Sequence, residues 1–205
     1  VAGSTVNLAL NGSGNTTFSG DLVANQLTVN SSNGGAMTFA GATTVPTINI
    51  TTLGTGGLTF GTAGNAAANL SATTSLTINS VGASNTAFNG TVTSPNINIT
   101  TGGSLSFAKA VSGNNLTFVT NGTGATTFTE TVTATGALNF TAKNNSATTF
   151  TGAVSAPVLN LNNMGTSAMT VTGAISGVTS GINILNNSTG TVNLNGTISG
   201  SGGLT

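Results

Sequence analysis

The sequence has almost no charged residues and lacks the side chains on which most catalytic and metal sites depend. Its 205 residues include two basic and two acidic residues, and no histidine, cysteine, tryptophan or tyrosine. Without histidine or cysteine, the usual zinc, haem and iron–sulfur ligands are missing. A serine or cysteine hydrolase would have no imidazole to activate its nucleophile. We therefore expect no enzyme activity, no cofactor and no bound metal.

The four charged residues are also too scattered to form other common sites. Asp21 and Glu130 lie far apart in the sequence, which disfavours the paired carboxylates of a glycosidase. Lys109 and Lys143 cannot form the basic stripe that nucleic-acid binding requires. A single aspartate disfavours a calcium-binding solenoid. Because no apolar run reaches about 18 residues, we expect no membrane insertion by this segment.

What the sequence does have is apolar residues at a regular spacing. An apolar–x–apolar pair opens each of nine units, and successive pairs lie 19 to 23 residues apart except for one interval of 28. The pairs begin at Val6, Leu27, Ile48, Leu76, Ile97, Leu116, Leu138, Leu159 and Ile182. A chain rich in Gly, Ser, Thr and Asn invites an interpretation as disordered. A disordered chain, however, has no reason to keep this register.

A second apolar position follows the first by twelve residues in eight units and by ten in the fifth. Seven of the nine phenylalanines occupy it, which predicts a core ladder. This column consists of Phe18, Phe39, Phe60, Phe88, Phe107, Phe128, Phe150, Val171 and Leu194. A third apolar position comes four residues later, although the second and third units place Thr43 and Gly64 there. Each unit therefore reads as three short strands joined by turns.

The turn residues keep the same register as the apolar residues. Pro46, Pro95 and Pro157 each stand two residues before the next opening pair, where the loss of an N–H donor costs least. Asn-Gly pairs, such as those at Asn11 and Asn121, predict a positive φ at tight corners. Asn195-Gly196 belongs to the same class. The units thus have recognisable corners as well as recognisable strands.

A unit of this size cannot bury its apolar side chains alone, so the units must stack. We predict an all-β fold: a single parallel β-solenoid over residues 1–205, with about nine coils of roughly 21 residues and three short strands per coil. The winding is expected to be right-handed. Outward Thr and Asn residues would form columns that hydrogen-bond along the stack. In this register Lys109 and Glu130 become neighbours on adjacent coils.

Two regions, one insertion and one array of threonines, are candidates for contact with other molecules. The interval of 28 predicts about seven extra residues between Phe60 and Leu76, around positions 64 to 75, which we interpret as a plain insertion. Three stacked Thr-x-Thr ranks form a candidate surface-contact face that is similar to the flat Thr arrays of ice-binding β-solenoids. The face consists of Thr127, Thr129, Thr149, Thr151, Thr170 and Thr172. Threonine is also simply a good strand residue, so the face has a structural explanation too.

Residues 190–205, GTVNLNGTISGSGGLT, resemble the passenger-associated β-strand repeat of bacterial autotransporters and related giant surface adhesins. Weaker versions occur at 170–177, TVTGAISG, and at 148–156, TTFTGAVSA. The resemblance implies secretion, an extracellular or cell-surface location, a right-handed β-helix and a role as stalk, scaffold or adhesin. The chain departs from the family in having few Asp and Lys residues and no C-terminal membrane barrel. No functional residue transfers, because the family motif is structural.

These observations together predict a non-catalytic extracellular structural protein. It would be a stalk or scaffold segment of a bacterial surface adhesin, or the subunit of a self-assembling extracellular filament. The chain starts at Val1, with no signal peptide, and 203–205 open a further coil, so we expect a piece of a longer array or a fibre subunit. The expected partners are flanking repeats, further copies stacked head to tail, or a host or matrix surface. The alternative is an ice-binding or polysaccharide-binding solenoid that uses the outward Thr and Asn columns.

Overall fold

A computed structural model describes residues 4–32, 34–62, 65, 68–82, 84–143 and 145–205. These residues form 26 strands and no helix, and hence no helix able to cross a membrane. Along the chain, a longer strand is followed by two shorter ones, and each such group of three strands makes one coil. Nine coils are followed by a two-residue strand that begins a tenth.

The strand bounds show the repeat directly. First strands standing alone are β1 Thr5–Leu10, β4 Gln26–Ser31, β7 Thr47–Thr52, β10 Ser75–Ser80, β13 Asn96–Thr101, β20 Val158–Asn163 and β23 Gly181–Asn186. Second strands are β2 Thr16–Phe18, β5 Met37–Phe39, β8 Leu58–Phe60, β11 Thr86–Phe88, β14 Leu105–Phe107, β16 Thr126–Phe128, β18 Thr148–Phe150, β21 Met169–Val171 and β24 Val192–Leu194. Third strands are β3 Leu22–Val23, β6 Thr43–Thr44, β9 Leu70–Ser71, β12 Val92–Thr93, β19 Val154–Ser155, β22 Ile175–Val178 and β25 Ile198–Gly200. The longer β15 Val111–Thr120 and β17 Val132–Ala142 join a third strand to the next first strand, and β26 is Gly203–Leu204.

Every strand pairs in parallel with the equivalent strand of the adjacent coil, so the fold is a β-solenoid. The second strands make one sheet of nine strands. First and third strands are joined through β15 and β17 into a second sheet of 17 strands. Where proline marks the corner between third and first strands, its carbonyl accepts two N–H groups of the next coil, as Pro95 does from Asn114 and Asn115 at 2.8 and 2.9 Å. β15 and β17 run through the same corner without a proline.

The core is a set of continuous columns, because inward side chains alternate with outward ones along each strand. Seven phenylalanines stack with ring centroids 4.4 to 5.2 Å apart and nearly parallel planes. Phe118 and Phe140, from the first strands, meet the rings of this ladder edge-on. From Phe39 to Phe150 the ladder rings are no more than 2% exposed. Burial of each coil therefore depends on its neighbours.

The third coil corrects the predicted position of the insertion. Thr43 of the second coil pairs with Leu70, and Leu70 pairs with Val92 of the fourth. Leu70 therefore fills the third apolar position that we assigned to Gly64, which itself lies outside the described residues. Ten positions separate Phe60 from Leu70, whereas four separate Phe18 from Leu22. Most of the extra residues thus precede β9, and the segment 70–75 belongs to the regular coil.

The corner glycines are also explained differently from the sequence-based prediction. Among the described glycines, a left-handed φ occurs at Gly61 (76°), Gly177 (71°) and Gly181 (152°). The glycines of the Asn-Gly pairs that begin at Asn11, Asn121 and Asn195 do not have one. At Gly122 a Cβ would instead lie 1.6 Å from the carbonyl oxygen of Gly102 in the coil below. The missing side chain permits the coils to approach each other at this corner. Close packing between coils, rather than backbone conformation, requires the glycine there.

A column of polar side chains lies buried inside the corner after the first strand. The Thr101 hydroxyl accepts from the Gly103 N–H at 3.2 Å. The buried Asn163 amide donates to the Ser167 carbonyl at 3.1 Å and accepts from the Gly165 N–H at 3.3 Å. These contacts satisfy backbone groups of the turn that no strand can pair. Other buried hydroxyls have no hydrogen-bond partner in the described part of the chain: those of Thr43, Thr86, Thr120, Thr126 and Thr148.

Candidate functional site

The candidate Thr face lies on the outside of the nine-stranded sheet, next to the phenylalanine ladder. Thr127, Thr149 and Thr170 are the central residues of β16, β18 and β21, and they are in register with one another. In each of these strands the residue that follows the threonine points into the core. Because side chains alternate along a strand, the threonine itself points outward. The three are partly exposed. The sheet thus brings together the first column that the sequence predicted.

The second column of the Thr face follows the same strands. The N–H groups of Thr129, Thr151 and Thr172 donate to the carbonyls of the preceding coil at 3.0, 2.8 and 2.8 Å. The acceptors are the carbonyls of Phe107, Phe128 and Phe150. The three threonines are therefore held in register beyond the strand ends, and all three are exposed. All six predicted threonines consequently lie in two adjacent columns with a repeat of about 4.8 Å along the rod.

The central column of this face contains threonine again at the other end of the rod. Thr17, Thr38 and Thr59 occupy it in the first three coils. Ala87 and Ser106 interrupt it in the fourth and fifth coils. The second column has no threonine at that end, where Ser19, Ala40 and Gly61 follow the strands. Paired threonines are therefore confined to the sixth, seventh and eighth coils.

A second polar surface covers the outside of the first strands, and it contains an amide ladder. The Asn160 amide donates to the Asn139 side-chain oxygen at 2.6 Å, and the Asn183 amide donates to Asn160 at 2.6 Å. The column alternates Asn and Thr in the coils below. Bonds of this kind, in which each amide donates to the next, were predicted for the outward Thr and Asn columns. They stabilise the stack and leave the surface uncharged.

The predicted pair of opposite charges is present. Lys109 Nζ lies 2.8 Å from Glu130 Oε1 on the next coil. The two side chains are 41% and 43% exposed, so water screens the attraction and its contribution to stability is about 1 kcal/mol at most. Asp21 accepts from the Ala42 N–H at 2.8 Å, which places it in the wall rather than in a site. In the described ranges no three potential ligands among Asp, Glu, His and Cys come together.

Comparison with known proteins adds no relative: no family model, curated protein or solved structure matches the chain. The likeness to autotransporter passengers consequently stays a prediction. In the fold, the stretch that carries this likeness forms β24, β25 and β26, at the end of the rod. The chemistry available on the surface is that of neutral hydroxyl and amide groups in columns. Such columns can hydrogen-bond to a regularly spaced polar surface or to a further coil.

Proposed function

We propose that the chain is a non-catalytic structural rod, a stalk or scaffold segment of an extracellular bacterial surface protein. One observation carries the proposal: a continuous ladder of core residues from Phe18 to Leu194, with each coil bonded to the coils on either side. Nine coils at the usual strand spacing give a length of about 40 Å. A rod of this kind can hold whatever is attached to its two ends at a set distance.

The surface supports a spacer role as well. Among the described residues the side chains on the two polar surfaces are short and neutral, and those of Asn139, Asn160 and Asn183 are hydrogen-bonded along the stack. The chain has no formal net charge, so little repulsion opposes contact with neighbouring segments. The extracellular location rests on the resemblance of residues 190–205 to the autotransporter repeat. Flanking repeats or further copies of the chain would be the partners.

Lengthening the rod by one coil tests the spacer proposal. Duplication of residues 116–137, one unit from the regular part of the array, should add about 4.8 Å to the maximum dimension measured by small-angle X-ray scattering. The cross-section should stay constant. A matched control duplicates the same residues in scrambled order, which should unfold locally and shorten the ordered rod. Scattering from a compact particle whose length does not change with an added coil would contradict a spacer role.

A second candidate function is binding through the Thr face. The specific observation in its favour is that Thr127, Thr149 and Thr170 are in register and partly exposed. The threonine two residues after each of them is exposed as well. Measurement of thermal hysteresis on the purified rod tests binding to ice. Thr149→Lys should remove the activity, whereas Thr38→Lys, in the same column but outside the paired array, should keep it. If the unmodified rod shows no hysteresis, the ice-binding interpretation is removed. Co-sedimentation with insoluble polysaccharides then tests the other ligand class.

A further inference from the structure

A shallow groove lies on the outside of the rod, at the corner between third and first strands. Its volume is about 370 Å³, within the range of small-ligand pockets. The residues that line it come from the fourth, fifth and sixth coils. Each of these coils has a neighbouring coil on both sides. The groove is therefore formed by the wall of the rod in the middle of the array.

Two outward columns of side chains form the sides of the groove. One side consists of the register partners Thr93, Ser112 and Thr133. The other side, two residues later in each coil, consists of Pro95, Asn114 and Thr135. The residues between the two columns point inward, because side chains alternate along a strand. Partners on adjacent coils lie about 4.8 Å apart, so the groove follows the rod axis for about 10 Å.

An irregularity in strand pairing shapes the middle of the groove. The pairing of β15 with β17 shifts after Gly113, so that two residues of β17, Thr135 and Gly136, stand opposite Asn114. Bulges of this kind redirect side chains, and they are frequent beside active sites. Here the Thr135 hydroxyl donates to the side-chain oxygen of Asn114 at 3.1 Å. The shift in register thus holds the Asn114 amide at the wall of the groove.

Both walls of the groove carry hydrogen-bonding groups that the rod itself does not use. The exposed Asn114 side chain accepts from Thr135, but its nitrogen donates to no group in the described part of the chain. The Thr133 hydroxyl likewise has no partner among the described residues. The hydroxyls of Thr93 and Ser112 bond to each other at 3.3 Å, which leaves the hydrogen of one of them available. These amide and hydroxyl groups can bond to the hydroxyls of a ligand.

The groove is uncharged, and much of its surface is apolar. All residues that line it are neutral, so a phosphate, sulfate or carboxylate group would meet no cation there. Most of the atoms that face the groove are apolar, and the exposed ring of Pro95 is among its lining residues. A neutral sugar ring carries hydroxyl groups at its edge and C–H groups on its faces. Such a ring matches an apolar groove with a few placed polar groups.

We propose that this groove binds a short stretch of a linear, uncharged glycan, whose hydroxyl groups bond to Asn114 and Thr133. A linear ligand follows from the direction of the groove, because the hydroxyls of one wall repeat along the rod axis at the strand spacing. Pro95 packs against the C–H face of a sugar ring. The groove lies on the 17-stranded sheet, whereas the Thr face lies on the nine-stranded sheet. The proposal adds a binding site to the rod and does not depend on the spacer role.

Incubation of the unmodified rod with an array of neutral and acidic oligosaccharides tests the proposal. We expect binding to linear neutral oligosaccharides and none to sulfated or carboxylated ones. Titration of the neutral oligosaccharide that binds best, followed by NMR, should shift the side-chain amide signals of Asn114. Those of Asn160, which is held in the amide ladder, should stay in place. If no neutral oligosaccharide binds, the proposal is overturned.

Two substitutions in the groove locate the bound oligosaccharide. Thr133→Val removes the unpaired hydroxyl and keeps the shape of the side chain, and Asn114→Ala removes the amide. Each should weaken binding by up to about tenfold, the loss expected for one hydrogen bond. Ser155→Ala is the matched control, because Ser155 pairs with Thr133 in the same column but does not line the groove. This variant should bind as tightly as the unmodified rod.

The same titration with Thr149→Lys separates the groove from the Thr face. We expect this variant to keep its affinity for the oligosaccharide. Binding that Thr149→Lys loses and Thr133→Val keeps would place the ligand on the Thr face and overturn the proposal. Equal affinity of all variants overturns it too, and so does a preference for acidic oligosaccharides. None of these results bears on the spacer role, which the length of the duplicated rod tests.

Discussion

The first and last coils differ from the coils between them in burial, although they carry the same kinds of residue. Ile175 is fully buried, whereas its counterpart in the next coil, Ile198, is 48% exposed. Phe39 is 1% exposed, while Phe18, directly before it in the ladder, is only partly buried. The side chains are similar, and Ile175 pairs with Ile198 just as Phe18 pairs with Phe39. Burial in this fold is therefore a property of having two neighbouring coils.

The difference means that stability should be distributed unevenly along the rod. In a stacked repeat protein, each coil contributes its own stability and one interface with each neighbour. End coils have a single interface, and their strands should open first. A substitution in a middle coil should consequently cost more than the same substitution at an end. The following predictions compare matched positions in the two kinds of coil, or inside and outside the core.

The largest effect is expected from removing a phenyl ring in the middle of the ladder. Phe128→Ala removes stacking against Phe107 and Phe150 at 4.8 and 4.4 Å and leaves a cavity. We expect a loss of about 3–5 kcal/mol in the free energy of unfolding, measured by urea titration. Phe18→Ala, in the exposed first coil, should cost less than half as much. Equal losses would show that the end coils are as well packed as the middle.

The next effect compares two corner glycines. In Gly122→Ala the new Cβ would collide with the Gly102 carbonyl of the coil below, whereas at Gly12 nothing lies within 4 Å of a Cβ. We expect Gly122→Ala to lower the free energy of unfolding by about 1–3 kcal/mol. Gly12→Ala should change it little. If both substitutions are neutral, the distance between coils at this corner is not what requires glycine.

A smaller effect, of opposite sign, is expected at a buried hydroxyl. The Thr126 hydroxyl is buried without a hydrogen-bond partner among the described residues. Thr126→Val replaces it by a methyl group of similar size, which should raise the free energy of unfolding by about 1 kcal/mol. Thr127→Val, on the outward side of the same strand, is the control and should have almost no effect. A loss of stability in Thr126→Val would indicate that the hydroxyl is satisfied.

The smallest effect concerns the pair of charges between adjacent coils. Lys109→Ala removes the contact with Glu130, and we expect a loss below about 1 kcal/mol that diminishes as salt is added. Lys143→Ala, at an exposed position, serves as the comparison. Thermal melts at low and high ionic strength measure both variants. A loss that does not change with salt would point to packing of the lysine stem instead.

Much of the fold could be predicted from the positions of apolar residues alone. The column from Phe18 to Leu194, its inward orientation and the neighbouring positions of Lys109 and Glu130 all follow from the spacing of residues along the chain. The six threonines of the candidate face were found in the same way, because outward positions alternate with inward ones. What such a face binds does not follow from its register, and binding to ice or polysaccharide stays a prediction.

Two predictions made from the sequence, on the insertion and on the corner glycines, were wrong for the same physical reason. The third coil was assigned Gly64 instead of Leu70 because an interval of 28 gives the total number of extra residues and not their place within the coil. The corner glycines were assigned to a left-handed backbone because Asn-Gly pairs favour it locally, whereas the structure places a carbonyl of the preceding coil against Gly122. In both cases the deciding contact joins residues about one coil apart. Local preferences contain no information about that contact.

The amino-acid sequence by itself determined the number of coils, the length of each and which side chains face inward, because strand alternation and apolar spacing are properties of the chain alone. The tertiary structure decided where the extra residues leave the coil and why the corners need glycine. These features exist only after the coils stack, since each depends on the distance between backbones of neighbouring coils. Gly122 is the clearest case, because only the carbonyl of Gly102 in the preceding coil makes a side chain impossible there.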